Sequence, residues 1–160
     1  MAKVDPIPCD MHTVTPNLTI RGCARAVEFY KKAFGAEERE RFTQPGGTAI
    51  WHTELKIGDS IVFMNDEMPG MGPAAPSPAQ PSPVGMWLYV SDCDAAFDRA
   101  VAAGAKVRMP PADMFWGDRA GTVLDPFGYS WTFATHVRDM THEEMRQAGE
   151  EFARQMAAQG

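Results

Sequence analysis

The chain has no apolar run near the roughly 20 residues that a membrane-spanning helix needs. It has no basic excess either: 15 Lys and Arg stand against 21 Asp and Glu, a formal charge of −6. The first absence excludes an integral helical membrane protein, and the second removes the footprint that nucleic acid or an anionic membrane surface attracts. Cysteine is scarce. Cys9, Cys23 and Cys93 are odd in number and lack the C-x-x-C spacing of a zinc or redox site, which fits a reducing compartment. No basic-then-apolar leader opens "MAKVDPIPCDMHTV", so a cytoplasmic location is expected. The G-x-G-x-x-G, P-loop and G-x-S-x-G signatures are also missing, which leaves nucleotide and α/β-hydrolase chemistry without support. A small molecule is the partner that remains.

What is there is a packed interior. With 160 residues, 44% hydrophobic content, nine Phe and four Trp, the chain can bury a core without disulfides or a structural metal. Leu18–Ile20 reads as a strand. After it, Ala26, Phe29, Tyr30, Ala33 and Phe34 recur at helical spacing, and Gly35 stands where a left-handed residue ends a helix. "EERERFTQ", "AIWHTELKI" and "DSIVFMND" follow as three strands, the last two joined by a tight turn at Gly58-Asp59.

The second half repeats this order. "GMWLYVSD" is a strand, "DCDAAFDRAVAAGA" a helix ended by Gly104, and "KVRMPPADMFW", "RAGTVLD" and "YSWTFATHV" are three more strands. Leu18, Cys23, Gly58 and Ser60 recur 70 positions later as Leu88, Cys93, Gly128 and Ser130. The sequence therefore predicts an α+β fold of two tandem βαβββ modules, residues 12–68 and 84–138, joined by a Pro/Ala/Gly-rich linker at 69–83. A C-terminal helix over 139–160 is expected from the Thr141/Glu144 capping box and the Met145, Ala148, Phe152, Met156 stripe. That stripe is expected to pack on the body or on a second subunit.

One helix covers only one face of each four-stranded sheet, so the other faces are expected to enclose a cleft, a setting typical of small-molecule sites. Alternation along the strands nominates the lining. In "GMWLYV" the aliphatic set suits the core, leaving Trp87 and Tyr89 as ring walls; on the last strand Trp131 and Phe133 go inward and Thr132 faces the cleft. In "WHTELKI", Trp51, Thr53, Leu55 and Ile57 are assigned to the core and His52, Glu54 and Lys56 to the cleft or solvent. "MFWGDR" groups Phe115, Trp116, Asp118 and Arg119, and an Arg beside two rings can hold an anionic or planar ligand. Cys23 and Cys93 at helix N-termini could be activated thiols, but their equivalent placement favours packing.

The strings "FYKKAFGAEE", "IGDS", "MFWGDR" and "DPFGYSWTFATHV" resemble the vicinal oxygen chelate superfamily, the fold of glyoxalase I, fosfomycin and bleomycin resistance proteins and extradiol dioxygenases, and within it the PhnB-like branch. The resemblance spans Thr15 to Thr141. It implies paired βαβββ modules, commonly a homodimer, and in the enzymes a divalent metal held by His and Glu. Carried over by motif, those ligand positions fall at 15–17, 62–64, 84–86 and 131–133, where no His, Asp or Glu occurs. The reading that follows is a small-molecule binder with no cofactor expected, a divalent metal being unsupported by the usual ligand positions, whose ligand contacts, nominated chiefly by alternation and the "MFWGDR" group, are His52, Glu54, Phe63, Trp87, Tyr89, Trp116, Arg119 and Thr132. Two alternatives stay open: a metal-dependent lyase or transferase with an unusual site at His52 and Glu54, which are also the candidate catalytic pair, and an antibiotic-sequestering dimer.

Overall fold

The computed structural model describes residues 4–158. Its chain runs β1 (Asn17–Ile20), α1 (Cys23–Phe34), β2 (Glu37–Thr43), β3 (Ile50–Ile57), β4 (Ser60–Asp66), β5 (Gly85–Tyr89), α2 (Cys93–Ala103), β6 (Lys106–Asp113), β7 (Asp118–Leu124), β8 (Ser130–His136) and α3 (His142–Ala158). Two sheets form, of order β1-β4-β3-β2 and β5-β8-β7-β6. In each the first strand lies parallel to the last, and the other pairs are antiparallel. The expected duplication is therefore present as two copies of one topology.

The chain divides into two units, Met1–Ser82 with Pro126–Gly128, and Pro83–Asp125 with Tyr129–Gly160. In the first, Ala26, Val27, Tyr30, Ala33 and Phe34 form the inner stripe of α1, and Leu18, Ile20, Leu55 and Met64 are buried on the strands. Each of the larger aliphatic and aromatic side chains among them contributes about 1.5–3 kcal/mol by leaving water. The start of α1 has no side-chain cap of its own. Asp66 on β4 replaces it, accepting from the Gly22 and Cys23 amides at 3.1 and 2.8 Å and, through its other oxygen, from Ile50 at 2.7 Å. One carboxylate thereby ties helix, β3 and β4 together while sitting where the helix dipole favours negative charge.

The second unit caps α2 in the usual way, the Asp92 side chain accepting from Ala95 N at 3.0 Å. Trp131 and Phe133 are buried, as alternation requires, and the Trp131 indole donates to buried Asp125 at 2.8 Å. Gly121 faces α2 closely enough that a Cβ there would meet Phe97 at 3.0 Å and the Pro111 nitrogen at 2.9 Å. Both helices end at left-handed glycines, Gly35 and Gly104.

Three features depart from the sequence reading. Trp51, assigned to the core, is exposed: Phe42 pairs with His52 and Thr43 with Ile50, so Trp51 is the extra residue of a bulge and Ile50 takes the core position. The linker is not merely extended. Glu67, bound by Arg21 Nε and Nη2, accepts from Ala75 N at 2.8 Å, and Ala75 is buried. The β7–β8 turn also belongs to the first unit, where Phe127 meets Phe29 and Tyr30 at ring separations of 5.9 and 6.2 Å.

The tail helix forms with its capping box, Thr141 N donating to Glu144 and Glu144 N to the Thr141 hydroxyl. Its stripe stays largely in solvent. Phe152 meets the Phe115 ring at 5.4 Å, while Met145 and Met156 are exposed.

Candidate functional site

The face of the second sheet opposite α2 carries Trp87 and Tyr89 from β5, Thr132, Ala134 and His136 from β8, and Asp118, Ala120 and Thr122 from β7, as the register requires. Thr132 and Thr122 share a hydroxyl–hydroxyl hydrogen bond of 2.8 Å. Asp118, only 3% exposed, organises the rest. One of its carboxylate oxygens accepts from the Tyr89 hydroxyl and the Trp116 indole, both at 3.0 Å, and the other meets His136 Nδ1 at 2.8 Å. The far ring nitrogen of His136 lies 2.9 Å from Asp139.

The rings gather around this carboxylate. Trp87 lies 6.4 Å from both Tyr89 and Trp116, tilted about 50° to each, and Phe115 meets Trp116 edge-on. Trp87 is 47% exposed and Tyr89 66%, so the ring wall is open to a ligand while its polar edges are fixed beneath. Burial opposes the Asp118 charge, but the bonds from His136, Trp116 and Tyr89 outweigh it and hold the carboxyl below its ordinary range. The same bond, with some burial, raises the Tyr89 phenol.

The bonds to Asp139 and Asp118 raise His136 above the ordinary imidazole range. A raised folded-state value means that the group stabilises the fold fully below its unfolded pKa and loses that contribution as pH rises through the folded one. Replacing His136 with Gln is therefore expected to flatten the fall in urea midpoint as pH rises above 6.5, the ordinary imidazole value from which His136 is raised. An unchanged slope would show that these contacts do not form in solution.

Arg119 is not in this group. Successive residues of a strand point to opposite faces, so Arg119 lies on the α2 side, where it contacts Asp94 at 2.5 and 2.7 Å and Asp113 at 3.1 Å. Its expected grouping with Trp116 is thereby corrected. His136, which sequence reading passed over, takes the polar place instead, and its signal was available as the next same-face residue after Thr132 and Ala134.

In the first unit, the open face holds His52, Glu54 and Phe63. His52 Nε2 and Glu54 Oε1 are 3.7 Å apart, His52 meets the Phe63 ring edge-on at 4.8 Å, and Glu54 is opposite Phe63 in register. Lys56 continues the same face, at a groove of about 590 Å³ with Asp10, His12, Glu37 and Arg39, where Asp10 and Arg39 form an ion pair of 2.7 Å. Cys23 and Cys93 are buried, burial pushing the Cys23 thiol up to about 12 and raising Cys93, so neither is an activated nucleophile.

The windows to which the resemblance assigns metal ligands present Asn17, Phe63, Gly85 and Thr132 on these open faces. An amide, a ring, a hydrogen and a hydroxyl already bonded to Thr122 do not fit a divalent ion, which wants imidazole or carboxylate. Among the described residues, no group of three or more His, Cys, Asp or Glu is placed to hold a metal ion.

Two repeated βαβββ units, each with one helix-covered and one open sheet face, define a tandem-module α+β protein. The chain belongs to the glyoxalase/bleomycin resistance protein/dioxygenase superfamily, whose sequence profile matches residues 11–133. An uncharacterized protein of Mycobacterium tuberculosis is 39% identical over 138 residues, 84% of this chain and 81% of that one. TioX from Micromonospora sp. ML1 shares the fold at TM-score 0.63 and 28% identity, covering 79% of this chain and 99% of its own. The PhnB protein from Bacillus cereus shares the fold at TM-score 0.60 and 16% identity, over 78% of this chain and 99% of its own. No described helix is long and apolar enough to cross a membrane.

Proposed function

We propose that this protein binds a small organic molecule against the Trp87, Tyr89 and Trp116 wall, with Thr132 beside it, and does so without a resident divalent metal. The observation that carries this reading is Asp118. A buried carboxylate that accepts from two ring donors and an imidazole costs desolvation and contributes little packing, whereas it fixes the rings of an open surface in advance of a ligand. His52, Glu54 and Phe63 supply a second polar and aromatic surface, suited to orienting a ligand or passing it a proton. The same reading takes the protein as a cytoplasmic homodimer.

The test is a tryptophan-fluorescence titration with benzyl alcohol, benzoate and benzylammonium, together with elemental analysis of protein purified without chelators. Saturable quenching by at least one probe, weakened in Trp116→Phe, and no stoichiometric metal are expected. Silence from all three probes overturns the binding wall. One tightly held transition-metal ion per chain overturns the metal-free reading and favours a lyase or transferase centred on His52 and Glu54, whose 3.7 Å approach would serve it.

A further inference from the structure

We infer that the group seated on the Trp87–Trp116 wall is a cation of the alkylammonium class. This rests on the binding wall proposed above and names what it selects. Trp87 stands 6.4 Å from Trp116 and 6.4 Å from Tyr89 at tilts of 50° and 51°, so the rings form a wedge rather than parallel plates. A flat ligand can lie parallel to only one ring of such a pair. A rounded group the size of trimethylammonium can stand within about 6 Å of two ring centroids at once, the range over which a ring face attracts a cation.

The electrostatics point the same way. The Trp116 N–H and the Tyr89 O–H both donate to one oxygen of buried Asp118, which pushes electron density into the rings and makes their faces more negative. Charge near the wedge is acidic on balance: Asp118 and Asp139 flank a single imidazole, His136. Arg119, the cation nearest in sequence, is directed to the opposite face and bound by Asp94 and Asp113. A benzoate or phosphate arriving here would meet ring faces and two carboxylates with one imidazole between them, whereas an ammonium would meet complementary charge. Phe115, edge-on to Trp116 and packed on Phe152, holds the outer ring of the wedge from behind.

The experiment compares choline with 3,3-dimethyl-1-butanol, which has the same shape and no charge, by tryptophan fluorescence on the full chain. Choline is expected to bind about tenfold more tightly than its neutral isostere. Asp118→Asn is expected to reduce that ratio below about threefold, as weaker ring polarisation and a lost charge both predict. Because Asp118 also stabilises the fold, Trp87→Leu, at an exposed strand position, provides a second variant; it should remove choline binding with its circular dichroism unchanged. Equal affinity for choline and the isostere, or tighter binding of benzoate than of either, overturns the cation while leaving the wall in place. Silence from these and from the neutral and anionic probes overturns both.

Discussion

Asp118→Ala is expected to lower the melting temperature by about 5–15 °C and to abolish probe quenching. The side chain is buried, and its removal strands three donors, from Tyr89, Trp116 and His136, around a small void. Removing one partner from a buried charged network costs about 2–4 kcal/mol when water can reach some of the orphaned groups, as the exposure of Tyr89 and His136 allows here. For a chain of this length each kcal/mol moves the midpoint by about 2–4 °C. Asp118→Asn keeps the shape but sets an amide N–H against a donor, so its loss should be smaller. In both variants the His136 imidazole, observed by NMR, should titrate at lower pH than in the parent protein. A midpoint within about 2 °C of the parent for Asp118→Ala would mean that the network is dispensable, and its role in fixing the rings would fall with it.

Gly117→Ala, at a buried turn position, should be worse than most single loop exchanges. Gly117 has φ of 98°, and a Cβ there would lie 2.3 Å from the Arg138 carbonyl oxygen, a backbone atom that cannot step aside. Its own carbonyl accepts from both Val137 and Arg138 at 3.0 Å, so the turn that carries Trp116 is fastened to the end of β8 at this point. Strain and displaced backbone together are expected to cost about 3 kcal/mol or more, read from urea denaturation, with the Trp116 emission shifted toward that of a solvated indole. Gly46→Ala is the control, since φ there is 73° but no atom lies within 4 Å of the added carbon. It should cost about 1 kcal/mol. Equal losses at the two positions would place the whole effect in φ and none in the close approach.

The duplicated architecture was legible because its signals are local. The stripes of α1 and α2, the terminal glycines Gly35 and Gly104, and alternation on β5 and β8 depend on neighbours in the chain and hold in the structure. Trp51 was misplaced because a bulge is decided by the partner strand, and nothing in "AIWHTEL" says that β2 will skip one residue. Asp66 as the cap of α1 was equally hidden, since it stands 44 and 43 positions from the amides it serves. Arg119 and His136 are different cases. Alternation alone separates Arg119 from Asp118 and joins His136 to Thr132, but only once β7 is known to begin at Asp118 and β8 to run as far as His136. The ring wall could be read from Trp87, Tyr89 and Trp116, whereas the carboxylate that arranges them could be found only by seeing which side chains converge.

The turn Pro126–Gly128 has a bearing on how this duplicated gene product could be taken apart. Its Phe127 ring lies against Phe29 and Tyr30, and Gly128 O accepts from Ser82 N at 2.8 Å, so the N-terminal unit is completed by residues encoded deep in the second half. A fragment ending at the linker would leave the α1 aromatics uncovered. Expressed separately, the two halves would aggregate or need each other in trans, and permutants that open the chain elsewhere while keeping this turn intact are the versions that should remain soluble.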